Sequence, residues 1–167
     1  MIREIVKYPD SGLRKMCAPV VNFDGELRQL AKDMMETLYA APGIGLAAPQ
    51  IGVNKRLILV DLTVGSEQGH LYIAVNPQIL EASGSQYGEE GCLSVPDIAE
   101  SVTRPNRVVI RAQDLDGKHW ELVAEELLAR CFCHEMDHLD GVLFIDKLSP
   151  LKRNLVKRKL RKARIPA

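Results

Sequence analysis

The chain has 167 residues, enough for one domain of ordinary size that buries about two thirds of its unfolded surface. Hydrophobic residues make up 46% and charged residues 26%, which is globular composition, and no apolar run approaches the ~20 residues that cross a bilayer, so a soluble protein is expected. Lys plus Arg (22) balances Asp plus Glu (22), leaving no overall field to draw the chain to DNA or to an anionic membrane.

Residues 1–9 lack the long apolar stretch and small-residue cleavage site of a secretory signal, which places the chain in the cytoplasm as an expectation. Over residues 25–41, Leu27, Leu30, Ala31, Met34, Met35 and Leu38 recur at spacings of three and four and predict an amphipathic helix ending before Pro42-Gly43. Residues 43–50, Gly-Ile-Gly-Leu-Ala-Ala-Pro-Gln, are too small and too rich in glycine and proline for a helix and read as a loop made for close backbone approach. Short buried strands are expected at 56–62 and 71–75, the second stopped by Asn76-Pro77. Residues 88–96, with Gly88, Gly91 and Pro96, read as an extended loop that leaves the Cys92 thiol free to project. Residues 108–112 and 120–123, joined through Asp116-Gly117, predict a hairpin.

A helix is expected over 125–139, with acids in its first turn and Gly141 just beyond its end. Ser149-Pro150 then makes a good start for a last helix, giving a basic C-terminal segment over 148–167. Between Leu151 and Ala167 stand eight basic residues and no acid. Such a segment is either a solvated helix face or a polyanion contact. Several strands and three helices without regular β-α-β alternation predict a single α+β domain over 1–167.

The run His134-Glu135-Met136-Asp137-His138 carries the chemistry. Helix positions four apart lie within ~40° of each other and one turn along the axis, so His134 and His138 can grip one cation. Glu135 swings to the flank, where a carboxylate can take a proton from water without coordinating the metal, a pattern that points to hydrolysis. The bland alternative is a surface helix with these residues at these spacings by chance. A catalytic site of the zinc type needs three protein ligands and one open position. No His or Glu follows His138, so the third ligand is sought upstream, among His70, His119 and the four cysteines. These cysteines show no disulfide-framework spacing and are expected as thiols. Cys131 shares a face with both histidines but lies ~10 Å from His138 along the axis, too far for one ion to collect all three. Cys133 points away from His138 and reads as a packed thiol, and Cys17 sits in an unremarkable amphipathic stretch. Cys92 is the choice.

Three separated segments, residues 43–50, Glu90-Gly91-Cys92-Leu93-Ser94 and His134 to His138, stand in an order and at separations similar to those of bacterial peptide deformylases, and the chain resembles that family over nearly its whole length. The resemblance implies mixed or antiparallel sheets around a central metal-binding helix, and hydrolytic removal of the formyl group from the N-terminal formylmethionine of new proteins. It implies one divalent metal held by Cys92, His134 and His138, with water at the fourth position to attack the formyl carbonyl. Glu135 would accept the water proton and pass it to the departing amine. The Gln50 side-chain amide and the Leu93 backbone N–H would stabilise the tetrahedral oxyanion. Gly45 would let the substrate backbone lie close, where a Cβ would push it away, and Ile44, Leu127 and Cys131 would line an apolar methionine pocket. Glu90 and Arg104 would form an ion pair behind the site. Two features depart from bacterial examples: Cys133 stands where glutamine is common, and residues 97–100 lack an arginine used for substrate contact, which bears on preference for the second and third peptide residues.

A Cys-His-His set suits zinc, ferrous iron, cobalt or nickel, and the resemblance implies ferrous iron. It also implies N-formylmethionyl nascent peptides as partners, with the basic terminal helix as a contact to the ribosome and no membrane or DNA partner. Two rival readings are a metallopeptidase cutting internal peptide bonds, opposed by the missing downstream ligand, and a metal-stabilised RNA-binding module. In the latter the metal would be closed by four protein ligands and Glu135 would be idle.

Overall fold

The computed structural model describes residues 1–164; positions 165–167 of the expected domain and terminal helix lie outside the described residues. Helix α1, Gly25–Ala40, begins where the Asp24 carboxylate accepts the Leu27 N–H and buries the expected stripe of Leu27, Leu30, Ala31, Met34 and Leu38. That stripe lies on strands β1 (Gly45–Ala47) and β2 (Leu57–Val60). All four β2 residues are buried because the strand has a helix on each face. Leu57 and Leu59 pack toward α1, whereas Ile58 and Val60 pack toward a second helix, α2 (Glu126–Leu139). A continuous apolar run is what a strand covered on both sides requires.

Strand β3 (Tyr72–Ser83), β4 (Gln86–Cys92), β5 (Val95–Arg104), β6 (Arg107–Gln113) and β7 (His119–Glu125) complete the sheets. One sheet has the order β1-β2-β3-β6-β7 and the other pairs β4 with β5. Every pairing between these strands is antiparallel, so the expected α+β class holds with antiparallel sheets. The β6–β7 hairpin is the one expected, in register from Arg107 opposite Glu125 to Gln113 opposite His119.

Three segments differ from expectation. Asn76-Pro77 does not stop the strand at 71–75: β3 continues to Ser83, with a register shift between Val75 and Gln78. Pro77 falls within that shift, so its missing N–H takes nothing from the ladder. Asn76 adopts φ 50° and spends its side chain on the Val20 backbone and on Gln113. Residues 43–50 are not one loop, since Gly45–Ala47 pairs with β2 and Ala48–Ile51 forms a 3-10 turn. Residues 88–96 are not a loop either. They are the end of β4 and the start of β5, with Cys92 opposite Val95 at the turn.

Helix α2 lies at the centre. Ala129, Phe132 and Leu139 pack into the cluster formed with β2, β3, β6 and β7. Beyond it Val95, Ile98 and Val102 of β5 meet Leu143, Phe144, Ile145 and two residues of α3 (Pro150–Arg164), Val156 and Leu160. The Ser149 hydroxyl accepts the Lys152 N–H at the start of α3, as its sequence predicts.

Candidate metal centre and substrate cleft

Helical spacing brings the two imidazoles to one side of α2. Both are buried, and their ring centroids lie 5.2 Å apart. The turn between β4 and β5 delivers Cys92, whose Sγ is 3.4 Å from His138 Nε2. Ligand atoms of Cys92, His134 and His138 all lie within 4.8 Å of one another, and no other such group occurs among the described residues. Of the other upstream candidates, His70 is exposed and pairs with Glu67, and His119 is exposed on β7.

Behind this centre a buried network holds the ligands. Glu90, on β4, meets His134 Nδ1 through Oε1 at 2.8 Å and so turns the opposite ring nitrogen toward the other donors. Arg104 donates to both Glu90 oxygens, at 2.8 and 2.9 Å, and to Asp137 Oδ2 at 2.6 Å. Arg130 donates to Glu90 Oε2 at 2.6 Å. Burial opposes the Glu90 charge, yet hydrogen bonds from Arg104 and His134 prevail and lower its pKa to about 2. Burial likewise works against a charged His134, but the bonds to Cys92 and Glu90 raise its pKa to about 10. His138 moves the other way, held well below the ordinary imidazole value by burial and by the neighbouring His134 charge. A cation bound here takes the place of the His134 proton.

Glu135 is one residue along α2 and projects to the flank. Its Oε1 is 3.9 Å from His134 Nε2, while Oε2 is buried without a hydrogen-bond partner. Burial raises its pKa to about 7. Three clustered soft and borderline donors, with an unpartnered buried carboxylate oxygen at their edge, fit a catalytic metal centre with an open position.

Gln50 is 1% exposed, so it is a buried amide and not one on an exposed loop. Its Oε1 accepts the Ala47 N–H at 2.9 Å, and this leaves Nε2 aimed at Ser94 Oγ (3.1 Å) and Cys92 Sγ (3.6 Å). Leu93 follows Cys92 at the turn, and its carbonyl accepts Lys7 Nζ. Gly45 serves a purpose that sequence reasoning did not assign. A Cβ there would come within 2.8 Å of Glu135 Cγ and 2.9 Å of Cys131 Sγ, so the glycine first of all makes room for the Glu135 side chain.

A cleft of about 660 Å³ opens onto these groups. Ile44, Gly45, Leu93, Leu127, Cys131, His134 and Glu135 line it, as do Asp97 and Ala99 of the stretch that lacks an arginine. Cys133 faces the other way and lines a separate cavity with Met136 and Asp137.

A family model described as polypeptide deformylase matches residues 2–154. The peptide deformylase of Acidobacterium capsulatum is 55% identical over 162 residues, covering 97% of this chain and 95% of the relative. The crystal structure of a peptide deformylase from Legionella pneumophila superposes with a TM-score of 0.92 at 46% identity, covering 99% of this chain and 100% of that one. That of Synechococcus elongatus in complex with actinonin gives 0.90 at 41%, covering 99% and 92%.

The chain belongs to the polypeptide deformylase family.

Within this deformylase fold, sequence reasoning found the three clustered donors, Glu135, and the Glu90–Arg104 pair. It missed Arg130, Asp137 and Ser94. Arg130 left one signal: a cation inside Leu127-Leu128-Ala129-Arg130-Cys131-Phe132, an otherwise apolar run, four residues before His134 and so on the same side of the helix. Asp137 lies inside the histidine motif, but sequence reasoning assigned it no role.

Proposed function

We propose that this chain removes the formyl group from the N-terminal formylmethionine of nascent peptides, with Cys92, His134 and His138 holding one divalent metal ion. The observation that carries this reading is the Glu135 carboxylate, buried in the cleft wall beside the three donors with one oxygen free. When bound, the ion polarises the formyl carbonyl and makes water acidic enough to yield a nucleophile near neutral pH. Glu135 takes the proton of the attacking water and returns it to the departing amine. Gln50 Nε2, fixed through its Oε1, and the Leu93 N–H donate to the developing oxyanion. Ile44, Leu127 and Cys131 receive the methionine side chain, and the short β1 edge beside Gly45 pairs with the peptide backbone as an added strand.

The test is formyl release from formyl-Met-Ala beside an unformylated peptide of the same length. Release of formate alone supports deformylation, whereas cleavage of the unformylated peptide selects the metallopeptidase reading. Ferrous iron is the ion proposed. Loss of activity in air, restored by fresh ferrous or nickel ion, supports it, and indifference to air counts against it.

No helix among the described residues is long and apolar enough to cross a membrane. Helix α3 anchors through Val156 and Leu160 and exposes Lys152, Arg158, Lys159, Arg161 and Lys162. We assign this face to phosphates of the ribosome, a contact that weakens steeply with salt. Co-sedimentation at low salt that survives charge-neutral substitution of these residues removes the assignment.

A further inference from the structure

Arg130 is the one buried charge of α2 that the proposed reaction does not use. A buried guanidinium is expensive unless its donors find acceptors. Its side chain is 6% exposed, and its acceptors all lie across the interface between α2 and the β4–β5 hairpin. Nη1 is 3.0 Å from the Gly88 carbonyl, 2.9 Å from the Val102 carbonyl and 2.6 Å from Glu90 Oε2, while Nη2 reaches Gln86 Oε1 at 3.3 Å. Gly88 and Val102 are register partners, so one guanidinium grips both strands at the same level. The approach is close: a Cβ on Gly88 would stand 3.1 Å from Nη2.

Neutralising Glu90 does not require this. Arg104 already donates to both of its oxygens from β5. Arg104 comes from the hairpin itself, however, and its only link to α2 is Asp137. Arg130 comes from the helix that carries His134 and His138 and holds the strand that ends in Cys92. Two of the proposed ligands stand on one element and the third on the other, and Arg130 joins those two elements directly.

We propose that Arg130 is a positioning residue that clamps the Cys92-bearing hairpin onto the histidine-bearing helix, joining the Gly88 and Val102 carbonyls and Glu90 to α2 and thereby setting the metal affinity of the site. The proposal rests on the metal-site reading above. It predicts that loss of the clamp frees the hairpin to drift and weakens capture of the ion more than it weakens peptide binding. Outer-shell substitutions of this kind cost about 10- to 100-fold in metal affinity.

The experiment strips the metal from the wild-type chain and from Arg130→Met and Arg130→Lys variants. Cobalt(II) is then titrated against a competing chelator, with the thiolate-to-cobalt charge-transfer absorption followed alongside. Arg130→Met is expected to bind cobalt about tenfold more weakly, with a weaker charge-transfer band because Cys92 is less firmly placed. Arg130→Lys keeps a cation beside Glu90 but cannot reach both carbonyls, and it should fall between the two. At saturating cobalt, KM for formyl-Met-Ala should change less than cobalt affinity does. Cobalt affinity within about twofold of wild type, against the loss expected of an outer-shell partner, overturns the proposal; if the Met variant does not fold, the Lys variant decides by the same criterion. Wild-type protein that takes up no cobalt and shows no charge-transfer band overturns the metal-site reading itself.

Discussion

Helix α2 and the β4–β5 hairpin supply the two halves of the candidate metal centre, and they do so by different physics. On α2 the relative positions of His134, Glu135 and His138 follow from helix geometry alone, and the helix is held by apolar packing around Phe132 and Leu139. The hairpin carries Gly88, Glu89, Glu90 and Gly91 on β4 and turns its apolar β5 residues, Val95, Ile98 and Val102, toward Leu143, Phe144 and Ile145 rather than into the α2 cluster. Its place relative to α2 is set by buried charge: Glu90 between Arg104 and Arg130, with His134 as a third partner. One ligand pair is therefore placed by local chain geometry and the remaining ligand by a long-range ion network. Substitution of Glu135 on the helix should touch chemistry without unfolding the protein, whereas substitutions in the network should cost stability and, through the placement of Cys92 and His134, metal affinity.

The largest effect is expected on the helix side. Glu135→Ala should lower kcat by about 10³-fold, the scale of a lost general base, while metal content measured by atomic absorption stays at the wild-type level. Near-wild-type turnover would remove Glu135 from the mechanism. On the hairpin side, Glu90→Ala leaves Arg104 and Arg130 buried with their shared carboxylate gone, at a cost of about 3–5 kcal/mol, read as a fall in Tm of the metal-free protein. The same carboxylate shapes the acid limb of stability. Its folded pKa is depressed to about 2, so its contribution is complete above the ordinary glutamate value of about 4.3 and is lost as pH falls through about 2. Denaturant unfolding between those limits should be steeply pH-dependent in the wild type and flatter in Glu90→Ala. An unchanged slope would mean that the network does not hold the hairpin.

This division also explains what could be read in the sequence. Helices α1, α2 and α3 and the β6–β7 hairpin announce themselves through periodicity, caps and turn residues, all of them local signals. Strand β4 and the first half of β5 do not, because their glycines, acids and proline argue for a loop, and only pairing with each other and the buried Glu90 network makes them a hairpin. The passage of β3 through Asn76-Pro77 escaped notice for a similar reason. The bulge that accommodates the proline is held by Asn76 contacts to Val20, 56 positions away, and to Gln113. The candidate site was legible where motif residues are short-range or carry a family pattern. Arg130 has neither property, and its acceptors lie 28 to 44 positions away.

Gly45 lies between the two regimes, since it belongs to neither element yet decides how Glu135 sits. Gly45→Ala places a methyl group against Glu135 Cγ and Cys131 Sγ, both closer than 3.0 Å. The Glu135 side chain, Cys131 or β1 must therefore move. Misplacement of a reacting group by about 1 Å costs up to about 10²-fold, and a loss up to that size should appear in kcat with metal content intact. A loss confined to KM would instead return Gly45 to the role of making space for the peptide backbone.

The two neighbouring cysteines of α2 give the smallest and sharpest contrast. They are two positions apart, so they face nearly opposite sides of the helix. Cys131 lines the cleft beside Glu135 and Cys133 lines the cavity beside Met136 and Asp137. Cys131→Val adds bulk where the methionine side chain is expected, and about a tenfold loss in kcat/KM, carried by KM, follows for a pocket that has lost a methyl-sized volume. The same change at Cys133 fills space on the far side of α2 and should leave kcat/KM within about twofold, because nothing in that cavity borders the reacting groups. Equal losses at both positions would show that the helix transmits packing strain to the centre, and α2 would then be no more independent of its surroundings than the hairpin is.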